Sequence, residues 1–315
     1  MRDRSNDVRL PLILPVPVWT NPRAAAEREE DAAFAAGAAL FGLDAFLRSE
    51  PAFAGCWRQR LALANAAAAV RLLGRREDEA ALRDAIHLSG PEADPGPAGR
   101  VALAFRKLAG PAPPVQSAVI LEIAGLLDIR LDADLEAIPA LFDDILQQGR
   151  AAPFAAAGII TEIHRLRPDA ELLGWWLADR MLAAAMGWSR AVPLMMTARS
   201  AAAFRTGSGR GRLFPADAGF SKAVCLVVAS AVQDALRLAA DLDRKTGRLI
   251  EAARKVRTKG AEPVLDRLLD DDSVPASAPG TTLSRWASRR FFERLEEFGA
   301  VRELSGRTTF RIYGL

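Results

Sequence analysis

Apolar positions recur every three or four residues through most of this chain, the spacing that puts one stripe of a helix against a core. Read this way, the sequence predicts helices over residues 22–48, 56–73, 77–88, 98–108, 116–127, 132–148, 153–166 and 169–186. A long proline-free helix follows over 220–258. Between them, Pro91, Pro95, Gly96 and Pro97 mark a loop, and residues 187–219 keep no regular period. The acidic run Glu77-Asp78-Glu79 opens its helix, where negative charge suits the macrodipole. Trp175 and Trp176 sit on an apolar helix and read as core.

The pattern changes after residue 258. Ala261 to Leu269 is a short helix, and a stretch rich in Ser, Pro and Gly follows it. A strongly amphipathic helix then runs from Leu283 to Phe298 and stops at Gly299 as its C′ residue. At about 100° per residue, Ala287, Phe291, Leu295 and Phe298 share a stripe of roughly 80°, the predicted core face. Val301 to Leu304 and Thr308 to Tyr313 are rich in strand formers around a Ser305-Gly306-Arg307 turn. Helix, turn, amphipathic helix and hairpin is the order of a winged helix, which places its last helix in the DNA major groove. The place of its second helix is held by Ser273 to Gly280, where two prolines and a glycine leave room for one turn at most.

The expected fold is therefore mainly α: a multi-helix body, then a C-terminal winged-helix domain with a short β-hairpin. Residues 1–20 form an extended proline-rich arm, 21–258 the helical body and 259–315 the winged helix. Composition agrees, with half of the residues hydrophobic and a single tyrosine. Charge sharpens the functional side. From Arg244 onward there are 15 Lys+Arg against 10 Asp+Glu, whereas residues 1–243 hold 27 against 29. A basic excess confined to one end fits a polyanion there. The DNA-facing candidates are Arg285, Trp286, Arg289 and Arg290 on the helix, with Arg302, Arg307 and Arg311 on the wing. Some of that charge also suits salt-bridged i,i+4 pairs such as Arg289 with Glu293.

Candidate chemistry elsewhere is sparse. Gly207-Ser208-Gly209-Arg210-Gly211-Arg212, flanked by Arg205, looks like a phosphate-cradling loop, so Arg205, Arg210 and Arg212 are candidate anion ligands. No strand precedes it and no Walker lysine follows, so a basic loop is the plainer reading. His87 and His164, with distant Cys56 and Cys225, do not make a zinc site. Asp270-Asp271-Asp272 reads as a solvated helix end. No metal, cofactor or catalytic residue is expected, and two free thiols fit a reducing cytoplasm. The apolar run 10–19 holds three prolines, too short to span a bilayer and unlike a signal peptide. The expected partners are DNA and a second copy through the helical body, with no membrane.

Several segments resemble a proteobacterial family known as "domain of unknown function 1403". They are Trp57-Arg58-Gln59-Arg60-Leu61-Ala62-Leu63, Gly74 to Asp84, Asp94 to Gly99, Gly209 to Arg212, Leu283 to Arg290 and Val301 to Arg307. That resemblance implies no established activity. A looser one concerns the Fic group of nucleotidyl-transferases and its helical relatives, through Leu304-Ser305-Gly306-Arg307 and the helix from Leu172 to Met186 with its exit at Gly187-Trp188 and Pro193-Leu194-Met195. The Fic loop, His-Pro-Phe-x-Asp/Glu-Gly-Asn-Gly-Arg, is missing. Its nearest counterpart, His164-Arg165-Leu166-Arg167-Pro168-Asp169, lacks the phosphate-wrapping glycines and Asn. This similarity implies a catalytically dead relative, or a diverged enzyme or nucleotide-binding protein. In that case His164, Asp169, Arg210 and Arg212 would converge on one pocket, and the winged helix would be a scaffold.

Overall fold

A computed structural model describes residues 28–89, 93–111, 113–130, 132–205, 211–277 and 281–315. The expected N-terminal arm and residues 207–210, including Arg210, lie outside these. Ten helices precede residue 257 among the described residues: α1 (Glu29–Arg48), α2 (Ala54–Leu72), α3 (Glu79–Leu88), α4 (Gly96–Ala109), α5 (Ser117–Leu126), α6 (Ala133–Glu136), α7 (Ile138–Gln147), α8 (Ala152–Leu166), α9 (Glu171–Ala185) and α10 (Phe220–Val256). After them come α11 (Glu262–Asp270), β1 (Val274–Pro275), α12 (Arg285–Glu297), β2 (Arg302–Glu303) and β3 (Ile312–Gly314). The protein is mainly helical with one small sheet, as the periodicity predicts.

The residues group into two compact units, one holding Ala39–Trp57 and Leu236–Leu315, the other residues 28–38 and Arg58–Ala235. In the larger, Gly174 of α9 faces α8, and a Cβ there would make ordinary contact with Ile163 Cγ2 at 3.4 Å. Asp78 caps α3 by accepting from Ala81 N at 2.9 Å. Trp175 and Trp176 are buried as expected, and Trp176 Nε1 donates to the Ala104 carbonyl at 3.0 Å, tying α9 to α4. The single predicted helix over 132–148 is two, α6 and α7. Pro139 lies in the first turn of α7, where its missing N–H costs nothing but continuation of the preceding turn is blocked.

Irregular residues between α9 and α10 are fixed by buried polar groups. The Asn65 amide donates to the Pro193 carbonyl at 3.1 Å and accepts from Thr197 N at 3.1 Å. The buried Asp179 carboxylate accepts from Leu194 N at 3.1 Å and Met195 N at 3.3 Å. Short 3-10 turns at Met196–Ser200 and Ala202–Phe204 follow. α10 contains a stretch long and apolar enough to cross a membrane. Its Val224, Val228, Val232 and Ala235 are nonetheless fully buried inside the protein, the pattern of a core helix.

In the smaller unit, Phe46 packs edge-on against Trp57 with centroids 5.0 Å apart. Its sheet has the order β1-β3-β2, antiparallel throughout. β1 departs from the sequence reading, because Val274-Pro275, in the stretch read as leaving room for one helical turn at most, pairs with Tyr313 and Ile312. Proline fits because β1 is an edge strand. The core face of α12 is also rotated from the expected stripe. Ser288, Phe291, Phe292 and Leu295 are buried, while Phe298 is 47% exposed beneath the Lys255 ammonium. Phe292 takes the inner position because it stacks on Tyr313 at 4.7 Å and 6°. Asp272 is buried as well, against the expectation of a solvated acidic run.

Candidate functional site

Two places bring the singled-out side chains together, one in each unit. The first is built on α12. Ser284 caps it, its hydroxyl accepting from Ala287 N at 3.2 Å. Gly299, at φ +62°, closes it: Gly299 N donates to the Glu296 carbonyl at 2.8 Å and Ala300 N to the Leu295 carbonyl at 2.9 Å. This is a Schellman ending. Arg285 and Arg289, one turn apart, line a cleft of about 270 Å³ with Arg311, walled by Pro275, Ala276, Thr309 and Phe310. The Tyr313 hydroxyl beside it, then the charges of Glu296 and Glu293, hold the Arg311 guanidinium above its ordinary value. The acidic half of α12 therefore tempers one of the three cations.

Trp286 is 67% exposed, with the Arg290 guanidinium 4.7 Å from its ring centroid. Such a pair offers a flat cationic surface to solvent. Arg302 and Arg307 are exposed and lie outside the cleft lining. The expected hairpin is a longer loop between shorter strands, at 302–303 and 312–314. Glu303 draws the chain out of the ladder, its carboxylate accepting from Ser305 N at 2.7 Å, from the Ser305 hydroxyl and from Gly306 N at 2.8 Å. Burial pushes that carboxyl up, but these donors outweigh it and hold it below its ordinary range. Phe310 then bends the chain at φ +58°.

The second place is a cavity of about 290 Å³ in the larger unit. Its walls include Ile160, Ile163, Trp175, Phe204 and Phe220, and its polar groups are His164, Glu171, Arg199 and Arg212. Trp175 meets Phe204 edge-on at 5.6 Å, and Phe204 meets Phe220 at 5.5 Å. Arg199 Nε pairs with Glu171, which also accepts from Trp175 Nε1 at 3.3 Å. Arg212 donates to the Arg199 carbonyl, and an isolated bridge joins Arg212 to Arg205. His164 stacks on Phe214 at 6.3 Å.

Of the four residues a diverged transferase would gather, His164 and Arg212 share this cavity and Asp169 does not line it. Asp169 forms a two-bond pair with Arg167, at 2.9 and 2.7 Å, which holds its carboxyl below the usual range. Arg167 is further tied to Asp132 at 2.5 Å. The sequence reading missed Glu171 and Arg199, and missed the supports Asn65 and Asp179. Glu171 reads as an ordinary first-turn acid, and Arg199 lies in an irregular stretch 28 residues away. No spacing rule links such a pair. Among the described residues, no group of three His, Cys, Asp or Glu is placed to hold a metal ion. Cys56 and Cys225 are buried thiols not joined in a disulfide, and burial pushes the Cys225 thiol up to about 12.

Fold and sites together describe a mainly helical protein with a small C-terminal sheet, a basic cleft and an aromatic cavity edged with arginine. The chain belongs to the family described as "Protein of unknown function (DUF1403)", whose model matches residues 4–315. No curated protein matches it, and the comparisons do not link it to the Fic group.

Proposed function

We propose that this protein binds DNA through its C-terminal segment, a winged helix in which α12 is the recognition helix and the β2–β3 loop is the wing. The observation that carries the reading is the meeting of Arg285 and Arg289 of α12 with Arg311 of the wing at one cleft. Helix and wing thus present cation together, as a phosphate backbone beside a groove requires. The element order α11, β1, α12, β2, β3 and the sheet order β1-β3-β2 support it. The departure from the usual module is the lack of a regular helix among the described residues between β1 and α12.

The test is a fluorescence-anisotropy titration of the full chain with a duplex of about 20 base pairs at several salt concentrations. Affinity should fall by about 0.9 log unit per log unit of salt for each phosphate neutralised. Arg285→Ala with Arg289→Ala should weaken binding at least tenfold, at roughly 1–3 kcal/mol for each base edge no longer reached. Absence of salt-sensitive binding at low ionic strength by folded protein would sink the proposal. The rival reading, a diverged transferase, is weakened because Asp169 is engaged with Arg167 away from the cavity.

A further inference from the structure

The cavity in the larger unit is unusual as a mere packing defect. Its floor is buried, while Arg212 and Phe214 at its mouth are exposed, the form of a cleft open to a ligand. Here the walls are aromatic rings held against one another, and the segment leading to Arg199 is pinned by the Asn65 and Asp179 bonds. The polar groups gather on the two arginines, Glu171 and His164 rather than being scattered. Glu171 offsets Arg199, and no carboxylate among the lining residues is left to offset Arg212. Burial, then the Arg199 and Arg205 charges, draw the Arg212 guanidinium below its ordinary value, Glu171 opposing them. Arg212 is exposed at the mouth of the cavity, a cation open to an anion entering from solvent.

We propose that this cavity binds a small planar aromatic carboxylate, its ring lying against Phe214, the exposed aromatic of the lining, and its carboxylate received by Arg212 and Arg199. The volume, about 290 Å³, lies at the small end of ligand pockets, roughly 300–1,000 Å³. That suits a ring with a short acidic arm. A guanidinium carries five N–H donors in a planar fork that matches a carboxylate. Among the described residues, one donor of each arginine is engaged, Arg199 Nε with Glu171 and an Arg212 Nη with the Arg199 carbonyl. The two guanidinium groups are thereby oriented without being saturated. Phe214, 61% exposed and stacked on His164, stands at the rim. This site is independent of the DNA reading, since the cleft of α12 contributes none of its residues.

The experiment is calorimetric titration of the full chain with benzoate, phenylacetate and cinnamate, alongside phenylacetamide and inorganic phosphate. At least one carboxylate should bind saturably at one site per chain, with Kd below about 1 mM. Phenylacetamide, lacking the charge, should bind about tenfold more weakly, and so should inorganic phosphate, lacking the ring. Arg212→Gln, on the exposed side of the cavity, should cost about tenfold with an unchanged circular-dichroism spectrum. Phe214→Ala should weaken binding severalfold and serves as the second variant should Arg212→Gln misfold. No saturable binding by any of the three up to about 10 mM, or equal binding of amide and carboxylate, would overturn the proposal. DNA affinity plays no role in any of these outcomes.

Discussion

Asp179 carries a charge question that its neighbours do not answer. Burial raises its carboxyl from 3.8 to about 8, opposed by the N–H groups of Leu194 and Met195. Arg180, next in sequence, turns to the Pro113 carbonyl and the face of Trp176 rather than to Asp179. The folded protein thus keeps a proton that the unfolded chain releases near pH 4. Between about pH 4 and 8 the native state binds more protons, so stability falls as pH rises, by up to about 1.4 kcal/mol per pH unit. Asp179→Asn keeps an acceptor for the two N–H groups and removes the titration. Thermal unfolding should show the wild type losing stability from about pH 5 to 8 and the variant losing clearly less. Equal losses would mean that Asp179 does not titrate in that window.

At the scale of elements, most of the fold was legible because helix is a local signal. The apolar period locates α1 to α5 and α8 to α12 to within a few residues wherever they are described. What stayed hidden depends on partners distant in sequence. β1 is two residues whose only reason to be a strand is β3, nearly forty positions on. The face of α12 is set by Tyr313, which brings Phe292 inward and leaves Phe298 outside. The arginines of α12 were legible, since an amphipathic helix shows its polar side in its own period. The Glu171–Arg199 pair was not. Gly55 is another such case. It lies in the first turn of α2, where alanine would favour the helix by up to about 1 kcal/mol. A Cβ there would stand 2.7 Å from both the Cα and the carbonyl oxygen of Asp270, and still closer to Oδ1. Backbone cannot step aside cheaply, so the clash outweighs the propensity. Gly55→Ala should therefore destabilise by about 1–3 kcal/mol, seen as a lower denaturant midpoint. A midpoint that rises would show that α11 yields.

For the whole molecule, the decisive quantity is where charge lies rather than how much there is. The formal net charge is only +3, too small to draw the entire surface to a polyanion. The excess from Arg244 onward, 15 cations against 10 anions, is instead concentrated in the region that holds the α12 cleft and the β2–β3 loop. The arginines of this region differ in their surroundings. Arg285 and Arg289 lie in a cleft beside Arg311, whereas Arg307 is exposed in the loop between β2 and β3 and outside the cleft lining. A side chain in a cleft can be aimed at a base edge. One on an exposed loop meets phosphate, which looks alike in every sequence. Arg307→Ala should thus weaken binding to specific and random duplexes by the same factor, and flatten the salt slope by about 0.9, the share of a single phosphate. Arg289→Ala should cost more on a selected sequence than on a random one. Measured as affinity against salt for both duplexes, an Arg307→Ala loss confined to the selected sequence would reverse these assignments. It would move the proposed base-reading role from α12 to the β2–β3 loop.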